Sequence, residues 1–305
     1  MISAAPGASN ASGRRTTRQL PRLLSCIRFD EVFVLQGAPL LGAIFSMGSF
    51  TIENAGRLFA FAVGSCFLVA HVFVLNDWSG IHADLRDPNR AVDVFSARGI
   101  DRTEIGVLCV ALLVMSLVIL SPFGPVTVGI ALMIAGLSAL YSAPASQFKG
   151  VPLASSALHL AGGLLHFLLG YSIFRTIDPR SLAVGCFFAL TFCGGHLIHE
   201  VRDLDGDTRN GIWTNAVRFG KARSFAAGFA LFTIADLLLV VLAGRGTVPR
   251  VLIAVAAFYA LHFYWSLQAL HAGLTFESVR QLQVRYRTLY AIVGVLIIAS
   301  VLLER

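Results

Sequence analysis

The sequence predicts an all-α, polytopic membrane protein with nine transmembrane helices in a single bundle. Of its 305 residues, 56% are hydrophobic and 13% are charged, and the mean hydropathy is +0.74. A soluble domain carries about 25% charged residues. Nine apolar stretches approach the roughly 20 residues that cross a bilayer. The length favours one bundle over several separate domains.

The nine predicted spans follow one another with short connections. They cover 31–50, 57–76, 103–121, 124–142, 152–174, 181–200, 223–243, 250–270 and 286–303. Residues 1–29 contain no acidic residue and several Arg, Ser and Thr. We expect a disordered cytoplasmic tail there, with a transit peptide as the alternative. The membrane domain is expected over 30–305.

The positions of the basic residues predict the orientation. The net charge is +7, but the Lys and Arg lie in short loops between apolar stretches, which argues against nucleic-acid binding. With the N-terminus inside, most of the 24 Lys and Arg residues are cytoplasmic. A bacterial inner membrane is the default location. The five cysteines form no CxxC pair and are expected to be small buried hydrophobic residues.

Two acidic segments follow the second and sixth spans, both on the predicted cytoplasmic side. Because helical residues four or seven apart share a face, Asp203 can act with Asp207, and Asp77 with Asp84. Carboxylates at a membrane boundary are costly unless they serve a function. The alternative is an ordinary solvated loop. We predict a Mg²⁺ site that holds an anionic diphosphate, with the ligands Asn76, Asp77, Asp84, Asp203 and Asp207.

Basic and aromatic residues lie where a diphosphate would need them. Lys149 belongs to a proline-containing connector after the fourth span, and Arg202 directly precedes Asp203. Either cation could form charge-assisted hydrogen bonds with phosphate oxygens, or could simply set the topology. Tyr141 lies beside this predicted phosphate site. The predicted catalytic residues are Asp203, Asp207, Lys149 and Arg202, and the predicted substrate-binding residues are Asn76, Tyr141, Lys149 and Arg202.

Several histidines lie in or near the spans. His196 and His199 are three residues apart, with Glu200 close by. A transition-metal site is one interpretation, but hydrogen-bonded interior histidines are favoured. Charged residues near membrane helices also allow a transporter. The acids of the two segments cluster on one side of the membrane, which argues against that function.

Together these residues resemble the UbiA superfamily of intramembrane prenyltransferases. That superfamily carries an NDxxDxxxD motif after its second helix, a DxxxD motif after its sixth helix and a YSxxxxxxK-like connector after its fourth helix. The matching residues here are Asn76, Asp77, Asp84, Asp203, Asp207, Tyr141, Ser142 and Lys149. The segment Gly211–Gly220 also resembles the family's GxxTxxVxxG continuation.

The resemblance implies a nine-helix bundle with a central cavity capped by the two acidic loops. It implies a Mg²⁺-dependent enzyme that ionises a prenyl diphosphate and transfers the prenyl group to an apolar, typically aromatic, acceptor. The implied partners are the prenyl diphosphate, a lipophilic acceptor and the lipid bilayer. An intramembrane terpene cyclase is the alternative, followed by a non-catalytic member or a transporter.

Three departures from the family pattern are visible. Gly80 stands where the middle aspartate of the first motif is expected, so the helical row of Asn76, Gly80 and Asp84 lacks its central ligand. The proline-rich stretch after that motif is altered at 87–92, and the first helix has Arg28-Phe29-Asp30 in place of an Arg-Pro entry. These departures affect the expected chemistry more than the expected fold.

Overall fold

The computed structural model of the protein describes residues 21–85 and 94–303, apart from the side chains of 82–84, 97–98 and 301–303. Within these ranges the chain is helical and contains no strand. The α-helices are α1 (Phe29–Leu35), α2 (Gly37–Ser46), α3 (Ile52–Asp84), α4 (Arg102–Leu120), α5 (Pro125–Ser142), α6 (Ala154–Tyr171), α7 (Pro179–Arg202), α8 (Leu204–Arg209), α9 (Asn215–Phe219), α10 (Lys221–Gly244), α11 (Val255–His271) and α12 (Phe276–Leu303). Four short 3₁₀ helices connect them: Phe95–Arg98, Ser121–Phe123, Phe148–Gly150 and Arg250–Ala254.

The multi-pass, all-α membrane architecture predicted from the sequence is confirmed. Eight helical segments of the described chain are long and apolar enough to cross a bilayer, one fewer than predicted. The exception is α6, which occupies the predicted fifth span. This helix carries His159 and His166, and two imidazoles lower its apolar character while it remains inside the bundle.

Two span boundaries differ from the prediction for physical reasons. The predicted first span is interrupted at Gln36, between α1 and α2. Pro39 has no N–H to donate to the carbonyl of Leu35, so one helix cannot run through this point unbroken. The last helix begins at Phe276 rather than at 286, because Arg and Gln end an apolar stretch but remain good helix formers.

The ordered N-terminal part begins before the predicted domain boundary at residue 30. Residues 21–24 are helical, Ile27 is buried, and Arg28 donates to Asp77. The first 20 residues of the predicted tail lie outside the described chain. The short stretch 21–28 therefore belongs structurally to the membrane domain.

Close helix contacts through glycine hold α6 in place. A Cβ atom on Gly170 would lie 1.8 Å from the carbonyl oxygen of Pro39 in α2. A Cβ atom on Gly42 would lie 2.1 Å from the carbonyl oxygen of Phe167. Between α6 and α7, a Cβ atom on Gly163 would lie 2.5 Å from the carbonyl oxygen of Phe188. Small residues at such crossings let membrane helices approach to backbone contact.

The two acidic segments extend from the ends of long helices. The first segment continues α3 to Asp84, and the second begins where α7 ends at Arg202. Each of these helices packs along the next long helix in the chain, α3 against α4 and α7 against α10.

Candidate active site

A cavity of about 1120 Å³ opens between the helices. It is lined by every predicted site residue whose side chain the structure describes: Asn76, Asp77, Tyr141, Lys149, Arg202, Asp203 and Asp207. Asp84 is the last residue of α3, and its side chain lies outside the described part of the chain. The predicted convergence of both acidic segments on one end of the bundle is therefore present in the fold.

In the first acidic segment, the carboxylate of Asp77 is paired with Arg28. The guanidinium donates from Nε to Oδ2 over 3.1 Å and from Nη2 to Oδ1. Two parallel charge-assisted bonds fix both orientation and distance. One residue earlier, Asn76 Oδ1 accepts a hydrogen bond of 3.3 Å from Ser142 Oγ. This bond ties the first segment to the end of α5.

In the second segment, the chain bends between two helices at Asp203. The N–H of Asp207 still donates to the carbonyl oxygen of Asp203 over 3.0 Å, so the helical spacing persists across the junction. The carboxylate of Asp203 lies 2.8 Å from Nε of Arg202 and 3.1 Å from Nε2 of His199. Arg202 also donates to Gln283 Oε1 over 2.9 Å, which connects this segment to α12.

The second segment presents its two later carboxylates to different environments. Asp207 is 7% exposed and lines the cavity, whereas Asp205 is exposed and does not line it. Among the described residues, no three His, Cys, Asp or Glu side chains gather into a ready-made metal site. A Mg²⁺ ion that is also held by substrate phosphates needs only one or two carboxylates from the protein.

The last turn of α5 contributes Tyr141 to the cavity wall, and the connector that follows contributes Lys149. Gln147 has a φ of 46°, and this left-handed turn leads into the 3₁₀ helix that carries Lys149. Lys149 is partly buried, so its ammonium group lies on the cavity wall and not in a mobile surface loop. Tyr141 contacts the His159 ring edge-on, with the ring centroids 4.9 Å apart.

Three functional candidates, His159, His196 and Glu200, were not predicted as site residues from the sequence. The two imidazole rings stack with centroids 3.7 Å apart and planes inclined by 7°. Nε2 of His196 lies 3.0 Å from Oε1 of Glu200. His196 is buried, as expected of an interior histidine, whereas the side chain of His199 is 41% exposed. In the sequence, the i, i+4 spacing of His196 and Glu200 could have indicated that these two side chains are neighbours. His199, one turn closer to the mouth of the cavity, contacts Asp203 instead.

One carboxylate lies inside the bundle, away from both acidic segments. Asp236 of α10 is 5% exposed and accepts a hydrogen bond of 3.1 Å from Tyr290 Oη. Tyr290 also lines the main cavity, whereas Asp236 does not. The sequence-based prediction rested on the acids at one membrane face, so it did not include this residue.

Solved structures of similar fold cover almost the whole chain. A UbiA homologue from Archaeoglobus fulgidus bound to GPP and Mg²⁺ matches with a TM-score of 0.70 and 17% identity, over 91% of this chain and 99% of that one. A digeranylgeranylglyceryl phosphate synthase matches with a TM-score of 0.70 and 19% identity, over 93% and 99%. An apo UbiA homologue from Aeropyrum pernix K1 matches with a TM-score of 0.68 and 15% identity, over 91% and 99%.

At these identities the structural likeness establishes the fold alone. No curated protein matches the sequence significantly. The family model described as the UbiA prenyltransferase family matches residues 38–274, well over half of the chain. This stretch includes α3, α7 and both acidic segments. The protein is therefore a multi-pass membrane protein that belongs to the UbiA prenyltransferase family.

Proposed function

We propose that this protein is a Mg²⁺-dependent intramembrane prenyltransferase that ionises a prenyl diphosphate and transfers the prenyl group to an apolar, aromatic acceptor. One observation carries the proposal: carboxylates of both acidic segments line the same cavity as Lys149 and Arg202. The interior of that cavity is largely apolar. Two solved structures of the same fold, each of a UbiA homologue from Archaeoglobus fulgidus, are bound to GPP and Mg²⁺ in one case and to DMAPP and Mg²⁺ in the other.

The oxygen donors at the cavity mouth suit Mg²⁺, which prefers carboxylate and carbonyl oxygens and completes its shell with water and phosphates. We assign Asp77, Asp203 and Asp207 as carboxylate ligands, with Asn76 as a neutral oxygen ligand and Asp84 completing the set. Asp207 supports this assignment, because its carboxylate is buried yet lines the cavity. When bound, the ion stabilises negative charge on the departing pyrophosphate oxygens.

The protein's own groups would bind, orient and protect the substrate. Lys149 and Arg202 would donate charge-assisted hydrogen bonds to the phosphate oxygens, and Tyr141 borders the same position. The bond between C1 and oxygen breaks with both electrons leaving on pyrophosphate, which creates an allylic cation. The rings of Phe232, Tyr286 and Tyr290 on the cavity wall can stabilise that cation through their faces. The apolar cavity keeps water from quenching it.

Pyrophosphate release tests the proposed function directly. The purified full chain is incubated with geranyl, farnesyl or geranylgeranyl diphosphate, each with and without Mg²⁺. At least one substrate is expected to release pyrophosphate only when Mg²⁺ is present. Absence of Mg²⁺-dependent release from all three would overturn the assignment as an enzyme of this class.

A terpene cyclase is the second candidate, favoured by the aromatic groups along the cavity. Phe232 contacts Tyr286 and Tyr290 with ring centroids 5.0 and 5.6 Å apart, so a folded prenyl chain would meet several π-faces. In a cyclase the double bonds of the chain attack its own cation. A cyclic hydrocarbon or alcohol formed without any acceptor would identify the cyclase, whereas acceptor-dependent turnover identifies the transferase.

Restoring the family aspartate at position 80 is expected to strengthen metal use. Gly80→Asp would complete the helical row of Asn76, residue 80 and Asp84, and an added carboxylate lowers the Mg²⁺ concentration needed for half-maximal activity. We expect the maximal rate to be kept or raised, as measured by Mg²⁺ titration of pyrophosphate release. Gly80→Ala is the control, since it adds a side chain without a ligand. A steep loss of activity only in Gly80→Asp would show that the site needs the open space.

The proposed orientation places the N-terminus and the cavity mouth in the cytoplasm of a bacterial cell, with residues 30–305 as the prenyltransferase domain behind an N-terminal tail. The support is the cytoplasmic excess of basic residues. In a chain whose native cysteines are replaced, Asp205→Cys should react with a membrane-impermeant maleimide only after the cells are permeabilised. Labelling in intact cells would show that position 205 faces the outside, which is the opposite of the proposed orientation.

A further inference from the structure

Asn215, the first residue of α9, joins the second acidic segment to the connector that carries Lys149. It is 2% exposed, and its Oδ1 accepts a hydrogen bond of 2.8 Å from the backbone N–H of Leu153, at the end of the connector. Beside this bond, a Cβ atom on Gly150 would lie 3.7 Å from Cγ2 of Ile212, so the two stretches of chain run side by side. A buried side chain therefore links segments that are 62 residues apart in sequence.

Glu200 fixes the side chain of Asn215. This carboxylate is 4% exposed, and its Oε2 accepts from the backbone N–H of Asn215 over 3.0 Å and from Nδ2 over 2.9 Å. Nδ2 of Asn215 also donates to Oγ of Ser156 over 3.1 Å. Hydrogen bonds to a carboxylate are charge-assisted and stronger than neutral ones. The amide is therefore held in one orientation, with Oδ1 towards Leu153.

Leu153 has a backbone conformation that residues other than glycine rarely adopt. Its φ is 64° and its ψ is −42°, outside the common regions for L-residues. Such a conformation persists only where the surrounding structure enforces it, and it occurs most often at functional sites. The side chain of Leu153 is 67% exposed and adds little packing. The bond from its N–H to Asn215 is thus a main restraint on the end of the connector.

The chain before Asn215 is tied in turn to Asp207. The N–H of Ile212 donates to the carbonyl oxygen of Asp207 over 2.9 Å, and the N–H of Thr214 donates to that of Ile212 over 3.0 Å. Asp207 and Lys149 both line the cavity. Hydrogen bonds therefore lead from a proposed metal ligand, through Asn215, to the connector of the proposed phosphate-binding lysine.

We infer that Asn215, held by Glu200, is a positioning residue that sets the spacing between Lys149 and the second acidic segment. The inference rests on the proposed function, in which both segments grip the same diphosphate. Because α6 and α7 separate these segments in sequence, their spacing depends on the contact through Asn215. A misplacement of about 1 Å far from the reacting atoms can cost about 100-fold in rate. Asn215 does not line the cavity, so it would act through Lys149 and not on the substrate.

Hydrogen exchange tests the contact without any ligand. In Asn215→Ala the amide of Leu153 loses its acceptor, and we expect it to exchange about tenfold faster than in the wild type, as the loss of one buried hydrogen bond predicts. Asn54→Ala is the matched control. Its amide donates to the carbonyl oxygen of Ser49 at the opposite end of α3 from the acidic segment, so exchange at Leu153 should not change.

A double-mutant cycle tests whether the effect passes through Lys149. Lys149→Ala is expected to lower kcat/KM for Mg²⁺-dependent pyrophosphate release by about 10- to 100-fold, the usual contribution of a charge-assisted hydrogen bond. Asn215→Ala should lower it by a similar factor on its own, but by less than about twofold when Lys149 is already replaced. A general loss of folding would lower it equally in both backgrounds.

A disulfide should replace the lost contact. In a chain whose native cysteines are replaced, Gly150→Cys and Ile212→Cys bring two Cβ atoms close to the separation of about 3.5–4.5 Å that a disulfide spans. Added to Asn215→Ala, the oxidised pair should restore most of the lost kcat/KM, and reduction should remove the gain. If Asn215→Ala is unstable in a thermal melt, Glu200→Gln replaces it, with a smaller expected loss and the same dependence on Lys149.

Each contrary result has its own meaning. Unchanged exchange at Leu153 in Asn215→Ala would overturn the contact. Equal losses in both backgrounds, or no recovery with the oxidised disulfide, would overturn the positioning role and leave Asn215 a purely structural residue. A wild-type kcat/KM in Lys149→Ala would overturn the assignment of Lys149, and this inference with it, while the enzyme class stands. If the wild type releases no pyrophosphate with Mg²⁺, the proposed function itself fails.

Discussion

Asp207→Asn is expected to abolish Mg²⁺-dependent pyrophosphate release, while Asp205→Asn, two residues away, leaves it nearly intact. Asp207 is buried on the cavity wall and Asp205 is exposed outside it. An amide keeps the shape of the carboxylate but loses the charge that a divalent cation needs. Loss of charge stabilisation at a leaving group typically costs about 10²- to 10³-fold in rate, and the loss of a metal ligand adds to this.

The measurement is pyrophosphate release at saturating prenyl diphosphate across a range of Mg²⁺ concentrations. Asp203→Asn should lose pyrophosphate release as Asp207→Asn does, because both aspartates line the cavity. Thermal melts of all three variants check that each one folds. Equal activity of Asp207→Asn and Asp205→Asn would show that the second acidic segment does not hold the metal through the side chains that line the cavity.

Gly170→Ala is expected to destabilise the bundle more than the same change at Gly42 or Gly163. The new Cβ atom would lie 1.8 Å from the carbonyl oxygen of Pro39, with the backbone of Ala43 also close. Relief requires α2 and α6 to separate, because neither neighbour is a flexible side-chain end. Overpacking typically costs about 1–3 kcal/mol and occasionally more, and a backbone clash belongs at the upper end.

The control is Gly136→Ala in α5, where a Cβ atom would have nothing within 4 Å. Replacing an unconstrained helical glycine by alanine is expected to stabilise a helix by about 0.5–1 kcal/mol. The two substitutions are chemically identical, so their difference isolates the helix contact. Thermal unfolding in detergent should show a large loss for Gly170→Ala and little or no loss for Gly136→Ala. Similar melting temperatures would mean that α2 and α6 do not meet in backbone contact at this crossing.

The sequence was sufficient to predict the helical membrane fold and the residues that gather at the cavity mouth. Apolar stretches locate the spans because lipid requires each segment to satisfy its own backbone hydrogen bonds. The motif residues Asn76, Tyr141 and Asp203 belong to or directly follow three different helices, yet they line one cavity. Helical spacing and positive-inside topology place such groups on one side of the membrane, which is enough to predict their convergence.

Contacts between helices distant in sequence could not be read from local patterns. In the sequence, Arg28 is notable only because Phe29 follows it in place of proline, but in the structure it forms two hydrogen bonds with the carboxylate of Asp77, 49 residues later. The stacking of His159 on His196 depends on how closely α6 approaches α7, which the glycine at 163 controls. The fifth predicted span, α6, is 18 residues long but is not among the described segments that are apolar enough to cross a bilayer, and two of its residues are His159 and His166.

That lower apolar character has a consequence for how the protein enters the membrane. α6 lies between α2 and α7, and its imidazoles face the cavity and not lipid. Alone in a bilayer, the same segment would expose His159 and His166 to hydrocarbon, where polar groups are costly. Insertion of α6 should therefore depend on helices that are synthesised before and after it. We therefore expect stable insertion of α6 to be cooperative with that of α2 and α7, the two helices against which it packs most extensively.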